Sequence, residues 1–297
     1  MEASEPVWRS LMFVPATNAK FVAGAGRHGA DGIILDLEDS IPPTEKATAR
    51  GLVRDAARAI RAAGPEVLVR VNQPLGLIAD DLWAVVSQDV AAIVLPKTLG
   101  AEHLALVDEL LDEIEENRGL APGHTKIIAM IETAGAMSRM AEIAASRRVL
   151  GLIVGSEDLS HALGMEPTPD SLYVPNVLAV AAARAAGKLP FGYAGSIALI
   201  DDLAAYRAVV RRAAGLGFVG GFCIHPAQVK VLNEEFAPKA EEIEAARELV
   251  AAFAAAKAEG AGAFRHRGRM IDRPIVARAE ALLKRARCVA AKTEIST

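Results

Sequence analysis

Short, continuously apolar runs alternate along this chain with longer stretches of helical periodicity. The runs are RSLMFVPA (9 to 16), GIILDLED (32 to 39), EVLVRVN (66 to 72), AAIVLPKT (91 to 98), KIIAMIET (126 to 133) and VLGLIVG (149 to 155), followed by the weaker KLPFGYA (188 to 194) and GGFCIHP (220 to 226). Lack of polar alternation within a run is the mark of a strand buried on both faces, and helices separate such strands in parallel sheets. Eight strand–helix units predict a closed (β/α)8 TIM barrel over 1–236. The helices have their own signatures. In AEHLALVDELLDEIEENRG, Leu and Ile recur at three- and four-residue spacing up to Gly119, and after Pro42 and Pro43 the stretch TEKATARGLVRDAARAIRAAG offers Thr44 as an N-cap. Beyond the eighth run the pattern predicts a helix over 238–259, a flexible segment from Gly260 to Gly268, and a last helix in RMIDRPIVARAEALLKRA. Residues 237–297 thus read as a C-terminal helical extension that barrel closure does not require.

Composition agrees with that architecture. Hydrophobic residues make up 52% and aromatics 4%, so the interior is built from Ala, Val, Leu and Ile. The 297 residues fall within the range of one barrel. The formal net charge is −4, with the basic residues scattered, which argues against nucleic acid as a partner. No apolar run reaches the roughly 18 to 20 residues that span a bilayer. Cys223 and Cys288 lie far apart with no CxxC pairing, and the N-terminus has no secretory apolar region. A cytoplasmic protein without a disulfide framework is expected.

Charges at strand ends carry the candidate chemistry. Arg70, Glu132 and Asp158 fall at the carboxyl ends of the third, fifth and sixth runs, the face where barrel enzymes keep their active sites. A charge also ends a strand simply where the strand leaves the core, but three such residues can converge on one mouth. Two carboxylates without clustered His or Cys suit Mg2+, which takes oxygen ligands and keeps several waters. Arg70 offers a planar fork for a carboxylate or an oxyanion. Asp36, Glu38 and Asp39 are candidates for orienting Arg70 or cation-bound waters, with turn capping as the alternative. Lys97 reads as a solvated strand end or a contact for an anionic ligand. His225 before Pro226 reads as a packed, hydrogen-bonded turn residue, and the other histidines, His28, His103, His124, His161 and His266, share no metal-ligand spacing. Asp272, in GRMIDRP, is a possible catalytic acid or base outside the barrel.

In order along the chain, RSLMFVPA, GIILDLEDSIPP, VLVRVN, VLPKT, IIAMIETAG, VGSEDL, GGFCIHPAQV and GRMIDRP resemble the citrate lyase beta-subunit-like branch of the HpcH/HpaI aldolase superfamily, which includes malyl-CoA and citramalyl-CoA lyases. The likeness runs from about residue 9 to 288. It implies a TIM barrel with Mg2+ held at Glu132 and Asp158, substrate contacts at Arg70, Glu132, Arg9 and Phe13, and a C-terminal lid. It also implies a homotrimer in which Asp272 reaches a neighbouring subunit's site as the base. The implied activity is Mg2+-dependent cleavage of a carbon–carbon bond in a hydroxyacyl-CoA thioester, through an enolate. Three places depart from the CoA-using pattern, where Asn18, Gly24 and Gly221 stand for expected cations; Lys20 and Arg27 lie close enough in sequence to substitute. A CoA-independent aldolase releasing pyruvate or another keto acid, a related acyl-CoA thioesterase, and a non-catalytic subunit of a lyase complex are the alternatives.

Overall fold

The computed structural model describes residues 6–198, 200–258 and 263–295. Eight parallel strands form one sheet in the order β7-β6-β5-β4-β3-β2-β1-β8. They are β1 (Ser10–Pro15), β2 (Gly32–Asp36), β3 (Glu66–Arg70), β4 (Ala92–Leu95), β5 (Lys126–Ile131), β6 (Val149–Val154), β7 (Leu189–Phe191) and β8 (Gly221–Cys223). A parallel bridge between Phe191 and Gly220 joins the two end strands, and Gly192 N and Val219 N donate across the seam to Gly220 O and Pro190 O. Closure makes this a barrel, and each of the eight apolar runs supplies one of its strands.

Two kinds of packing explain why the runs are apolar throughout. Alternate residues Leu11, Ile34, Leu68, Val94, Ile128, Met130, Ile153, Phe191 and Phe222 pack together inside the barrel. Their neighbours Val14, Ile33, Leu35, Val67 and Val69 pack outward against Val53, Ala57 and Ile60, while Ile93, Leu95, Ile127, Ala129 and Leu152 meet Leu104, Val107 and Leu111. A strand that buries both faces has no room for polar alternation.

The outer helices follow from their spacing. Between β1 and β2 the chain forms α1 (Ala19–Gly24), and α2 (Lys46–Ala62) and α3 (Leu75–Val85) follow β2 and β3. In α2 the buried positions are Ala49, Val53, Ala56, Ala57 and Ile60, one stripe of an amphipathic helix. Thr44 does not cap α2: it lies in a 3-10 turn over Pro43–Glu45, because the preceding proline pair starts a tighter turn before the helix proper. Helix α4 (Ala101–Asn117) buries Leu104, Val107, Leu111 and Ile114, each contributing about 1.5–3 kcal/mol if removed from water. Then come α5 (Ala134–Ser138), α6 (Met140–Ala145), α7 (Ser156–Leu163), α8 (Tyr173–Ala185), α9 (Leu203–Leu216) and α10 (Pro226–Glu235).

The chain divides into two units, Trp8–Phe236 and a smaller one that joins the residues up to Val7 with those from Ala237 on. In the smaller unit Lys292 Nζ donates to Val7 O at 2.8 Å. Its elements are α11 (Ala240–Ala258), β9 (Phe264–His266), β10 (Arg269–Ile271) and α12 (Arg273–Ile295). The expected flexible segment is corrected over its described part, residues 263–268, by an antiparallel hairpin pairing Arg269 with His266 and Ile271 with Phe264. Arg267 and Gly268 both have positive φ, 49° and 78°, as the favoured two-residue hairpin turn requires. No described helix is long and apolar enough to cross a membrane.

Candidate active site at the barrel mouth

Side chains two positions beyond the inward core residues form the top layer of the barrel interior. Leu11 leads to Phe13, Ile34 to Asp36, Leu68 to Arg70 and Met130 to Glu132, by the period-two rule for strands. These four, with Asp158 from the first turn of α7, line one cavity of 550 Å3 at the carboxyl ends of the strands. The strand-end charges therefore converge.

Strand register sets the Arg70 geometry. Asp36 and Arg70 are direct partners between β2 and β3, so their side chains leave the sheet side by side. The guanidinium grips Asp36 with both edges of its fork, Nε to Oδ1 at 2.7 Å and Nη2 to Oδ2 at 2.8 Å. Nη1 lies 2.9 Å from Glu38 Oε2 and 3.3 Å from Asp39 Oδ2. Below it, the Phe13 ring centroid is 4.7 Å from the guanidinium carbon, and Phe13 meets Phe222 edge-on at 5.4 Å. Asp36 also accepts from Glu38 N and Ser40 N, so orienting Arg70 and capping the turn are one arrangement. Burial alone would raise the Asp36 pKa, but the Arg70 fork overrides it and holds the carboxyl below its ordinary value. Burial pushes the Glu38 carboxyl up despite Arg70 and Lys97.

Glu132 follows β5 and is 3% exposed. Its Oε2 accepts from Lys97 N at 2.6 Å, and burial, followed by the charges of Asp158 and Glu38, pushes its pKa up to about 7 against that bond and the Lys97 charge. Room for it comes from Gly155. A Cβ there would lie 2.5 Å from Glu132 Cγ and 2.9 Å from its carboxyl carbon. Lys97 takes a left-handed backbone, φ 44°, and its Nζ lies 3.2 Å from Glu38 Oε1 and 3.5 Å from Asp158 Oδ1.

A hard divalent cation fits this donor set. Glu132 is a buried carboxylate disfavoured by two like charges and answered by one backbone N–H, so a cation would relieve it. Among the described residues no group of three or more His, Cys, Asp or Glu is arranged to hold a metal by itself. Water or substrate oxygens would complete the shell, which is the habit of Mg2+ rather than of structural zinc.

Other candidates lie elsewhere. Arg9, expected to bind substrate, precedes β1 at the opposite end of the barrel from the cavity, where it clamps Asp31 through N, Nε and Nη2 at 2.7, 2.8 and 2.9 Å. His225 is exposed instead of packed and caps α10, accepting from Ala227 N in a capping box with Gln228. Asp272 is exposed in the smaller unit, where it accepts from Ile275 N at the head of α12. Asn18 caps α1 through Phe21 N, and a Cβ at Gly221 would lie 3.1 Å from the Tyr193 ring. Lys20 and Arg27 are exposed.

Two contributors escaped sequence reading. Lys46 donates to Leu37 O and Glu38 O at 2.7 and 2.6 Å, fixing the loop that carries the acids to Arg70. A lysine at the first residue of a helix opposes the macrodipole, and that misplacement was the available signal. Gly155 was visible as the small residue that opens GSE before Asp158, but what it makes room for is the Glu132 side chain.

Known proteins resemble this chain along most of its length. The HpcH/HpaI aldolase/citrate lyase profile matches residues 9–226. The chain is 35% identical over 286 residues to the citrate lyase subunit beta of Leuconostoc mesenteroides subsp. cremoris, covering 95% of this chain and 94% of that one. It is 32% identical over 313 residues to the L-malyl-CoA/beta-methylmalyl-CoA lyase of Cereibacter sphaeroides, covering 95% and 96%. Of solved structures, the protein CitE from Mycobacterium tuberculosis in complex with magnesium, acetoacetate and coenzyme A superposes with a TM-score of 0.73 at 29% identity, over 93% of this chain and 97% of that one. A citrate lyase from Burkholderia xenovorans LB400 superposes with a TM-score of 0.81 at 23% identity, over 96% and 92%, which speaks to the fold alone. With a profile spanning all eight strands and lyase relatives aligned nearly end to end, the chain belongs to the HpcH/HpaI aldolase/citrate lyase family.

Proposed function

We propose that this protein is a Mg2+-dependent carbon–carbon lyase cleaving a hydroxyacyl-CoA thioester of the malyl-, citramalyl- or citryl-CoA class. The observation that carries the reading is the convergence of Glu132, Asp158 and Arg70 on one cavity. It is supported by relatives that include an L-malyl-CoA/beta-methylmalyl-CoA lyase and a structure holding magnesium and coenzyme A.

Cleavage beta to a hydroxyl requires loss of the hydroxyl proton and accommodation of the electron pair left when the bond breaks. When bound at Glu132 and Asp158, the cation supplies Lewis acidity toward the hydroxy-acid oxygens. Arg70 is already oriented by Asp36, Glu38 and Asp39 and presents its remaining donor capacity to a substrate carboxylate or to the enolate oxygen. Phe13 beneath it keeps one face of the guanidinium out of water. Asp272 is our candidate base, supplied to a neighbouring copy in a trimer, with the hydroxyl proton passing to its carboxylate. The departing acyl fragment leaves as an enolate and takes up a proton to become the shorter thioester.

A second reading, a CoA-independent aldolase releasing a keto acid, draws on Asn18, which is engaged as a helix cap, and on Gly221, where an added Cβ would already crowd the Tyr193 ring at 3.1 Å. Thermal-shift or calorimetric titration with Mg2+ and CoA, acetyl-CoA, glyoxylate or pyruvate separates the two, since a ligand of the native state raises its stability. Stabilisation by a CoA ester is expected. A shift with free keto acids but none with any CoA ester at millimolar concentration would replace the first reading with the second.

A further inference from the structure

The loop after β4 is built to serve two carboxylates at once. Thr98 N donates to Met130 O at 3.3 Å and Thr98 Oγ1 to Leu95 O at 3.1 Å, which ties the loop to β5 just before Glu132. Between Leu95 and Thr98, Lys97 adopts φ 44°, a left-handed region that non-glycine residues enter uncommonly. The backbone N–H then points at Glu132 Oε2, while the ammonium bridges Glu38 and Asp158. The side chain is 32% exposed and the Asp158 side chain 40%, so the ammonium can leave Asp158 without unpacking the core. Lys97 is not among the residues lining the cavity. Its partners reach the reacting groups; its ammonium acts through them.

We infer that Lys97 is an internal competitor for the cation site: its ammonium neutralises Asp158 in the metal-free protein, and a divalent cation must displace it toward Glu38 in order to bind. Glu38 also touches Arg70, so the displaced ammonium would compete with Arg70 for a carboxylate that orients the guanidinium. Lys97 is thus a positioning residue linking cation binding to the Arg70 cluster. The inference rests on the reading of Glu132 and Asp158 as the cation ligands.

The test turns on a sign. A lysine that merely supports the site would leave cation binding unchanged or weaker when removed. A competitor predicts the opposite, because a positive charge beside the site repels the incoming cation. Mg2+ binding by calorimetry, and Mn2+ binding by electron paramagnetic resonance, are measured without substrate on the full chain. The variants are Lys97→Met, Lys97→Arg and Lys97→Asn, the last tolerant of positive φ; all keep the N–H that serves Glu132. Lys97→Met and Lys97→Asn are expected to bind either cation about three- to tenfold more tightly, with Lys97→Arg within about twofold of the parent. Unchanged or weaker binding in a neutral variant that melts cooperatively overturns the inference. If the parent binds cations and Glu132→Gln abolishes that binding, such a result leaves the ligand assignment standing. If the parent binds neither cation, the ligand assignment falls and the inference falls with it.

Discussion

Replacing Gly155 by alanine should damage the cation site while sparing the fold. Gly155 has φ −79° and ψ 103°, a conformation alanine adopts freely, so the substitution tests space and not backbone strain. The new methyl would lie 2.5 Å from Glu132 Cγ, where ordinary contact begins near 3.4 Å. The glutamate must therefore retreat by about 1 Å, while metal–ligand distances tolerate only about 0.2 Å. Retreat also pulls Oε2 from the Lys97 N–H at 2.6 Å. Overpacking of this kind costs about 1–3 kcal/mol of stability, and we expect Mg2+ affinity to fall at least tenfold, or about 1.4 kcal/mol. Calorimetric titration reads the affinity, and thermal melting reads the fold. Gly164→Ala is the control: its φ of +65° makes alanine strained, but nothing lies within 4 Å of the added atom. That variant should lose about 1 kcal/mol of stability and bind Mg2+ normally. Parent-like Mg2+ affinity in Gly155→Ala would refute the assignment of Glu132 as a ligand in this geometry.

Asp272→Asn should bind Mg2+ as the parent does and lose turnover by about a hundredfold or more; mixing it with inactive Glu132→Gln should restore activity in hybrid oligomers, and absence of restoration would confine the base to its own subunit or exclude it. Arg70→Met leaves the buried Asp36 charge unanswered and should cost about 3–5 kcal/mol in urea melts. Adding Asp36→Asn should recover much of that stability and none of the activity, while full activity in either variant would remove Arg70 from the chemistry. Acid stability has a separate source. Burial opposes ionisation of Glu115, but Arg148 and the N–H groups of Thr125 and Gly123 hold its carboxyl below the ordinary value. A depressed folded-state pKa gives stability that is present above the unfolded value, near 4.3, and is lost as pH falls through the folded one. Glu115→Gln should flatten the loss of stability between about pH 5 and 3, and an unchanged acid limb in equilibrium unfolding would count against this network.

The barrel was legible because burial on both faces erases polar alternation, and eight such runs separated by helices leave few other topologies. What the apolar pattern could not mark was its own ends. The inner layer at Leu11, Ile34, Leu68 and Met130 continues by twos to Phe13, Asp36, Arg70 and Glu132, so three of the site's charges follow from strand geometry once inward and outward faces are known. The same rule places Arg9, which comes before its strand, at the far end of the barrel. The hairpin after α11 escaped because its turn is Arg267–Gly268 instead of the Asn–Gly or Asp–Gly that signals such turns, and because three arginines mask any strand alternation in RHRGR.

Charge balance was the least legible part of the site, since it depends on which groups share one space. Asp36, Glu38, Asp39 and Asp158 contact two cations, Arg70 and Lys97, and Glu132 lies against the Lys97 backbone. Five carboxylates against two cations leave a formal excess of three negative charges at a half-buried mouth, and the charges of Asp158 and Glu38 add to burial in raising the pKa of Glu132. A divalent cation would reduce it to one, and any anionic substrate would otherwise meet repulsion. Arg70 cannot relieve the pressure alone, because its fork is already spent on Asp36. On the proposed assignment a cation held at Glu132 and Asp158 would lower the negative field before the anion arrives, while Asp36, Glu38 and Asp39 keep the guanidinium in place. Ordered binding, with substrate affinity rising steeply with Mg2+ concentration, follows from this balance.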